Sequence, residues 1–270
     1  MKEERKTYVT IGNMDKAYKT LASIDYADFI SNKVNFHKNY SKFTKREFLS
    51  SDATFEEFEL FLNRHPEFVQ KPLRGLGGGD VKKVAASSIK DKNEFFKKLK
   101  NEDFFIEELI VQDPEWGKLG PDSINTLRIM TETANNESKI IFAAARIGSG
   151  KSIADNFHQG GMAVLIDRDK GVLTGNGFDK KLNESPKSIS GVTFDGTKVP
   201  YWHEIEAMVL EAANVNPNIH MVGWDVAITP DGPLIVEGNR GPGFDLVQIL
   251  LKKGAKYMLD DVLVHVRQTA

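Results

Sequence analysis

The sequence predicts an α+β protein whose strands pair mainly antiparallel. The first observation is that residues 1–65 carry apolar side chains at helical spacing and contain no glycine after Gly12. The second is a series of extended segments further along the chain, separated by turn dipeptides such as Asn135-Asn136 and Asp231-Gly232. The third is that helices do not alternate regularly with these segments, as they would in a doubly wound parallel sheet.

The N-terminal region is predicted to be helical. One helix is expected to begin at Thr54, because Thr54 and Glu57 have the spacing of a capping box, and to end before Pro66. Upstream of it, apolar side chains at helical spacing predict several shorter helices. These side chains are Tyr18, Leu21, Ile24, Phe29 and Ile30.

The rest of the chain is predicted to consist mostly of strands. Residues 67–87 combine an extended segment, a glycine cluster and a second extended segment, which is the pattern of a hairpin. Helices are predicted at 93–100, 201–214 and 244–265. The remaining extended segments are FFIEELIV, NTLRIMTETA, KIIFAAARIG, MAVLIDRD, MVGWDVAIT and PLIVEGN.

Composition is that of an ordinary globular protein and excludes several kinds of chemistry. The 270 residues are 40% hydrophobic and 27% charged, with a net charge of −2 and no long basic tract, so nucleic-acid binding gains no support. The absence of cysteine excludes disulfides, thiolate metal ligands and cysteine nucleophiles. No signal-peptide core and no apolar run of about 20 residues is present, so we expect no transmembrane segment and a cytoplasmic location.

A glycine cluster is the stronger of two candidates for a phosphate-binding loop. Gly75, Gly77, Gly78 and Gly79 permit positive φ and let backbone N–H groups close over an anion. They join two strand-like segments, whereas a Rossmann turn would lead into a helix. Lys71 precedes the cluster in an apolar strand, where an ammonium needs an anionic partner. The sequence therefore predicts a flap over nucleotide phosphates; an ordinary mobile hairpin tip is the alternative.

The second candidate, IGSGKS at 147–152, departs from a P-loop in two ways. The position five residues before Gly150 holds Ala145 in place of glycine, and the following SIADNFHQGG is a poor helix former. We interpret Gly148 and Gly150 as turn residues after a strand.

The segment GWDVAITPDGPLIVEGNRGPG at 223–243 predicts a metal site. Asp225 and Glu237 flank the turn at Asp231-Gly232, so two antiparallel strands would bring their carboxylates together. Asn239 lies two residues beyond Glu237 and hence on the same strand face. Two carboxylates and an amide oxygen suit Mg²⁺. The alternative is a hairpin with exposed charges.

Two arginines interrupt apolar strand segments. Arg128 and Arg146 would face inward to hold a phosphate or carboxylate, since an unpaired buried guanidinium is costly; surface-facing alternation is the alternative. The segment DNFHQGG adds Asn156, and we interpret His158 as a hydrogen-bonded neighbour rather than a base. No Ser-His-Asp arrangement, zinc motif or protein-kinase tripeptide is present.

Taken in order, these segments resemble the ATP-grasp superfamily, and within it the sugar-transfer-associated branch (TupA-like, hexapeptide-transferase-associated). The resemblance runs from about residue 32 to residue 248. The matching segments are NKVNFHKNYSKF, ATFEEFELFLNRHPEFVQKP, GLGGGD, EELIVQDPEW, SINTLRI, AAARIG, DNFHQGG, VPYW, GWDVAIT and GPLIVEGNRGPG.

The resemblance implies an ATP-grasp fold, in which two α+β subdomains with antiparallel sheets enclose ATP. Residues 1–50 would form a short helical N-terminal region, a reduced form of the domain that precedes the fold in many relatives. Residues 51–110 would form the first subdomain with the flap, and residues 111–270 the second subdomain with the Mg²⁺ site.

The resemblance also implies the residues that bind ATP. Lys71 would contact the phosphates beneath the glycine flap, and either Lys33 or Lys38 would supply an earlier nucleotide-binding lysine. Adenine would lie against the segment that joins the two subdomains. That segment contains Glu107, Glu108, Leu109 and Ile110.

The catalytic groups implied by the resemblance are cations and metal ligands. Arg128, Arg146 and Asn156 would hold the γ-phosphate and the charge that develops on it. The ligands of Mg²⁺, or of Mn²⁺ as the alternative ion, would be Asp225, Glu237 and Asn239.

The implied reaction joins a small-molecule carboxylate to an amine through an acyl phosphate, with ADP as product. Sugar acids, peptides and natural-product precursors are the candidate acceptors. The alternatives are an ATP-grasp kinase that phosphorylates a hydroxyl and a non-catalytic nucleotide-binding subunit. An oligomer is compatible with all three functions.

Overall fold

The computed structural model describes residues 2–21, 24–73, 81–101, 104–121, 123–149 and 160–268. Within these residues the α+β class and the antiparallel pairing are confirmed, since every strand pair is antiparallel. No described helix is both long enough and apolar enough to cross a bilayer.

The helices and strands are labelled in chain order. The helices are α1 Lys2–Arg5, α2 Ile11–Leu21, α3 Ala27–Ser31, α4 Lys33–Asn39, α5 Ser41–Thr44, α6 Phe55–Arg64, α7 Lys92–Lys100, α8 Pro114–Gly117, α9 Trp202–Ala213, α10 Asp245–Leu251 and α11 Lys256–Arg267, with short 3₁₀ turns at Ile24–Tyr26 and Ala86–Ser88. The strands are β1 Phe48–Leu49, β2 Glu67–Lys71, β3 Lys82–Ala85, β4 Phe105–Glu108, β5 Thr126–Ala134, β6 Glu137–Ile147, β7 Met162–Asp167, β8 Val172–Phe178, β9 Glu184–Ser185, β10 Met221–Thr229 and β11 Gly232–Arg240.

A small sheet in the order β1-β4-β2-β3 packs against α6 and α7. Its core consists of Phe58 and Phe61 from α6, Leu99 from α7, Phe68 from β2 and Ile106 from β4, all fully buried. Each such side chain contributes about 1.5–3 kcal/mol relative to exposure. The hairpin pairing predicted for residues 67–87 is confirmed, because β2 and β3 pair directly.

The predicted capping box at the start of α6 is also confirmed. The hydroxyl of Thr54 accepts from the backbone N–H of Glu57 at 3.2 Å, and the carboxylate of Glu57 accepts from the backbone N–H of Thr54 at 2.7 Å. Two of the N–H groups left unpaired at a helix start are thereby satisfied.

A large sheet in the order β11-β10-β5-β6-β7-β8-β9 has a core on each face. Because successive strand residues point to opposite faces, Leu127 and Ile129 pack with α9 and the helices α3–α5, whereas Met130 packs with α2, α10 and α11. Residues near both ends of the chain meet on the second face, where the backbone N–H of Lys256 donates to Thr7 O at 2.8 Å.

Three sequence predictions need correction. The predicted helix 244–265 is two helices, because Lys252 takes a left-handed conformation (φ 53°) and Gly254 packs directly on the backbone of Thr7. The strand predicted at 104–111 ends at Glu108. The strand β8 was not predicted at all, since its sequence VLTGNGF contains two glycines, and Gly175 has φ of 71°.

Candidate active site

The hairpin of β10 and β11 brings the two predicted carboxylates together. Asp225 lies directly opposite Glu237, and the next pair joins Val226 to Ile235, so Val236 is the extra residue of a β-bulge. The side-chain amide of Asn239 donates to Glu237 Oε1 at 3.2 Å and to the carbonyl of Gly223 at 3.4 Å. The oxygens of Asp225, Glu237 and Asn239 thus come from one short stretch of hairpin.

Both predicted arginines face Asp225. Arg128 lies opposite Asp225 on the neighbouring strand β5, and its Nε is 3.0 Å from Oδ1. Arg146 reaches across from β6 and places Nη2 3.0 Å from Oδ2, while it also donates to the hydroxyl of Thr126 at 2.6 Å. Only 18% and 12% of the two arginine side chains are exposed, so neither is a surface-facing residue.

Burial and charge act differently on the two carboxyls. Burial raises the pKa of Asp225 to about 6, against the lowering effect of Arg128 and Arg146. Burial also opposes ionisation of Glu237, but Lys71, the hydrogen bond with Asp225 and the charge of Arg128 together hold its pKa below the usual value. The cationic side chains of Lys71, Arg128 and Arg146 thus offset part of the cost of burying two neighbouring carboxyls.

The donor set fits a divalent cation of hard character. Asp225 Oδ1 is buried and, apart from its ion pair with Arg128, accepts no hydrogen bond from the described residues. Carboxylate and amide oxygens are the ligands that Mg²⁺ prefers, and the described residues of the site supply no sulfur or imidazole ligand. In the described part of the chain no three His, Asp or Glu side chains form a group that could hold a metal, and at this site the third oxygen is the amide oxygen of Asn239.

Two lysines lie beside this site. The charge of Lys71, at the end of β2, lowers the pKa of Glu237. Asn32 caps α4 by accepting from the backbone N–H groups of Val34 and Asn35, which fixes Lys33 in the first helical turn. Burial lowers the pKa of Lys33, and the nearby carboxylate of Glu237 partly offsets this effect.

Lys38, the alternative to Lys33, lies elsewhere. Its Nζ is 2.7 Å from Asp52 Oδ2, and both side chains are more than half exposed. Of the two candidate lysines, therefore, the structure brings only Lys33 close to Glu237.

The segment that joins the two sheets has one carboxylate turned inward. Glu107, on β4, is 1% exposed and forms ion pairs with Lys71 and Arg46. The side chain of Glu108 accepts from the backbone N–H of Glu47 at 3.2 Å. Leu109 and Ile110 follow the end of β4 and are half-buried.

The sequence reasoning missed Arg46 and His37, which complete the surroundings of Glu107. The ring of His37 places Nε2 2.7 Å from Glu107 Oε2, and Arg46 places Nη1 2.8 Å from the same oxygen. The only local signal was the spacing of Lys33 and His37, which puts both on one face of α4.

A family model described as sugar-transfer associated ATP-grasp matches residues 4–263. The chain belongs to this family. The resemblance inferred from the sequence motifs is therefore confirmed over nearly the whole chain. No curated protein matches the sequence.

Solved structures show that the fold is that of ATP-grasp ligases. PsnB, complexed with a minimal precursor, superposes with a TM-score of 0.54 at 12% identity, over 90% of this chain and 64% of PsnB. A RiPP-associated ATP-grasp ligase from Chryseobacterium gregarium, in complex with ADP and a leader and core peptide, gives 0.54 at 13% identity, over 96% of this chain and 68% of the ligase. VanG D-Ala:D-Ser ligase from Enterococcus faecalis gives 0.51 at 14% identity, over 87% and 61%. This chain thus spans less than two thirds of the length of PsnB.

Part of the ATP-grasp site predicted from the sequence lies outside the described residues. This applies to the glycine flap (Gly75, Gly77, Gly78 and Gly79), to Gly150, and to Asn156 and His158. Gly148 is described, and its backbone N–H donates to the side-chain oxygen of Asn125 at 3.1 Å.

A cavity of about 340 Å³ lies one residue beyond Arg146 along β6. Arg146 pairs with Ala163 of β7, which in turn pairs with Phe178 of β8. The cavity is lined by the neighbouring residues of these strands and of the turn after β8, namely Ile147, Met162 and Asp179. Its lining combines apolar and hydroxyl side chains with Lys187 and two carboxylates. Among these residues are Ile147, Met162, Ser149, Ser185, Lys187, Asp179 and Glu184. Within the described residues, Lys187 has no carboxylate partner.

Proposed function

We propose that this chain is an ADP-forming carboxylate–amine ligase that uses ATP. The observation that carries the proposal is the convergence of Lys33, Lys71, Arg128 and Arg146 on the carboxyls of Asp225 and Glu237. Cations and metal ligands around one point suit phosphoryl transfer, in which positioning and charge neutralisation supply most of the catalysis. Family membership and a fold shared with ATP-grasp ligases support it.

ATP would lie between the two sheets. Its adenine would contact Glu108, Leu109 and Ile110, and its phosphates would contact Lys71, Lys33 and the glycine flap. Asp225, Glu237 and Asn239 would hold Mg²⁺, with Mn²⁺ as the alternative ion. When bound, the ion would neutralise charge on the β- and γ-phosphates.

In the first step a substrate carboxylate oxygen would attack the γ-phosphorus, and the bond to the β-phosphate oxygen would break to release ADP. Arg128 and Arg146 are both anchored on Asp225, so their guanidinium planes are fixed before substrate binds. Their guanidinium groups would hold the γ-phosphoryl oxygens and the attacking carboxylate, and Asn156 would assist them. Such preorganised donors stabilise developing charge without reorganisation.

In the second step an amine nitrogen would attack the acyl carbon of the acyl phosphate. The carbon–oxygen bond to phosphate would break, inorganic phosphate would leave, and the nitrogen would lose a proton. Placing both reactants beside the two arginines makes this step effectively unimolecular.

The cavity next to Arg146 is our proposed site for the carboxylate substrate. Its volume of about 340 Å³ fits a small molecule or the end of a peptide. Lys187 would pair with a second anionic group, and the nearby hydroxyls would bind polar substituents. The similar structures of PsnB and the Chryseobacterium ligase contain precursor or core peptides, so peptides belong among the candidates together with sugar acids.

The test is release of ADP and phosphate from Mg·ATP with a panel of uronic acids, amino acids and short peptides, followed by mass spectrometry. We expect phosphate in equal amount to ADP and an amide product that requires both a carboxylate and an amine. A stable phosphorylated product with no free phosphate would instead identify a kinase. Tight ATP binding with no turnover across the panel would favour the non-catalytic alternative.

A further inference from the structure

We infer that Glu107 is a positioning residue for Lys71, and that Arg46 links this lysine to the metal-binding strand β11. The inference rests on the proposed nucleotide-binding function. It gives Glu107 a role that differs from direct contact with adenine, because both of its carboxylate oxygens are already held by protein groups.

The surroundings of Glu107 come from three separate parts of the chain. Oε2 lies 2.7 Å from His37 Nε2 on α4 and 2.8 Å from Arg46 Nη1, between α5 and β1. Oε1 forms a close ion pair with Lys71 Nζ at the end of β2. The ring of His37 is itself fixed, since it stacks on Phe48 with centroids 4.7 Å apart.

This arrangement fixes the ammonium of Lys71. A lysine has four flexible side-chain bonds, so its ammonium has no defined position unless a partner holds it. Glu107 can serve as that partner because Arg46, Lys71 and His37 outweigh the cost of its burial and keep its pKa well below the usual value. Lys71 remains 13% exposed, which leaves part of it accessible from the site.

Arg46 connects the same carboxylate to the large sheet. Its Nη2 donates to the carbonyl of Val236 at 3.1 Å and to that of Ile235 at 3.4 Å, while Nη1 contacts Glu107. Val236 is the bulged residue immediately before Glu237. One planar guanidinium therefore sets the distance between the lysine expected to bind phosphate and the carboxylate expected to bind Mg²⁺.

A buried network of this kind could also serve stability alone, so the test must separate positioning from folding. We would measure the affinity of Mg·ADP by isothermal titration calorimetry for the wild type, Glu107→Gln, Lys71→Met and the double variant, with circular dichroism to verify the fold. We expect Glu107→Gln to weaken binding by on the order of 10-fold, as outer-shell substitutions do, and Lys71→Met to weaken it at least as much because it removes the proposed phosphate contact itself.

The double variant provides the decisive comparison. If Glu107 acts through Lys71, the double variant should bind Mg·ADP no more weakly than Lys71→Met alone, because the effects of coupled residues are not additive. Multiplicative losses, or unchanged affinity in a folded Glu107→Gln protein, would overturn the inference. A wild-type chain that binds no Mg·ADP would instead refute the proposed function and this inference with it.

Arg46 allows an independent test that does not depend on the Glu107 variants. Arg46→Lys can keep the ion pair with Glu107 but lacks the fork that also reaches the bulge. We expect it to raise the Mg²⁺ concentration for half-maximal ADP binding by on the order of 10-fold, as loss of an outer-shell partner does. Arg64→Lys is the matched control, because Arg64 pairs with Glu47 at the surface and should leave the Mg²⁺ requirement unchanged. Equal Mg²⁺ requirements in the two variants would refute the link to β11.

Discussion

Asp225 is the buried carboxyl that forms ion pairs with both arginines of the site. Its carboxyl is buried between two guanidiniums, yet burial still raises its pKa to about 6. Glu237, directly opposite, has a pKa below the usual value because Lys71 and Arg128 lie near it. Both carboxyls are therefore mainly ionised at neutral pH, and Glu237 stays ionised to a lower pH than Asp225 does.

Glu237→Gln should abolish turnover while the fold is retained. The amide is close in size but cannot supply a negative ligand, and a lost metal contribution of several kcal/mol corresponds to a fall in rate of about 100-fold or more. ADP release with the substrates found by the panel is the measurement. Asp231→Asn is the control, since Asp231 is an exposed carboxylate in the turn of the same hairpin. Comparable activity in the two variants would contradict the metal assignment.

His37 should make stability depend on pH. Burial lowers its pKa, although the hydrogen bond to Glu107 and the charge of Glu107 act in the opposite direction. The unfolded ring, with pKa about 6.5, therefore binds a proton at a higher pH than the native ring does. The stability contributed by the neutral ring is complete above about pH 6.5 and falls as pH drops toward the native pKa, by at most about 1.4 kcal/mol per pH unit.

Urea unfolding of the wild type and of His37→Gln from pH 7.5 to 5.0 measures this effect. The difference in unfolding free energy between the two proteins should shrink or change sign as pH falls, because only the wild type loses the stability that the neutral His37 ring contributes. Asp225 contributes a slope of opposite sign, but it does so in both proteins. His203→Gln should keep the wild-type slope, since His203 is 91% exposed. Parallel pH profiles for the wild type and His37→Gln would be inconsistent with a buried neutral ring.

Among the helices and strands, local sequence signals correctly predicted the features that depend on residues close together in the chain. The hairpin of β10 and β11 and the start of α6 were predicted correctly, because turn residues and a capping box act within a few residues of one another. The break between α10 and α11 was not, since it depends on Gly254 packing against Thr7, far away in the sequence. Likewise Glu107 was predicted at the nucleotide site, but its contacts with His37 and Arg46 depend on tertiary packing, which the helical spacing of Lys33 and His37 alone does not determine.

The capping box of α6 offers a direct test of an element. Thr54→Ala removes the hydroxyl that accepts from the N–H of Glu57, and the loss of such a cap costs about 1 kcal/mol. Urea unfolding should show this decrease with an unchanged denaturant dependence. Thr193→Ala is the control, because the side chain of Thr193 is exposed in an isolated β-bridge with Lys187 and lies in none of the described helix caps. A loss in Thr54→Ala no larger than that in Thr193→Ala would mean that the box contributes little.

For the whole molecule, the two sheets contribute different parts of one proposed ligand site. Lys71 lies on the small sheet and Asp225, Glu237 and Asn239 on the large one, and within the described residues Arg46 contacts both. A nucleotide that binds with its metal would contact both sheets in the native state and neither in the unfolded chain. Its binding free energy should therefore add to the stability of the entire fold.

Mg·ADP should accordingly raise the unfolding temperature of the intact chain. At 100 times its dissociation constant a ligand adds about 2.7 kcal/mol, which corresponds to roughly 5–10 °C for a chain of this size. Thermal unfolding followed by circular dichroism, with ADP in the presence of either Mg²⁺ or EDTA, measures the shift. EDTA should reduce it, and Glu237→Gln should respond to ADP equally with and without Mg²⁺, because that variant lacks the carboxylate of the proposed metal site. A shift that is independent of Mg²⁺ in the wild type would mean that the nucleotide binds to the small sheet alone.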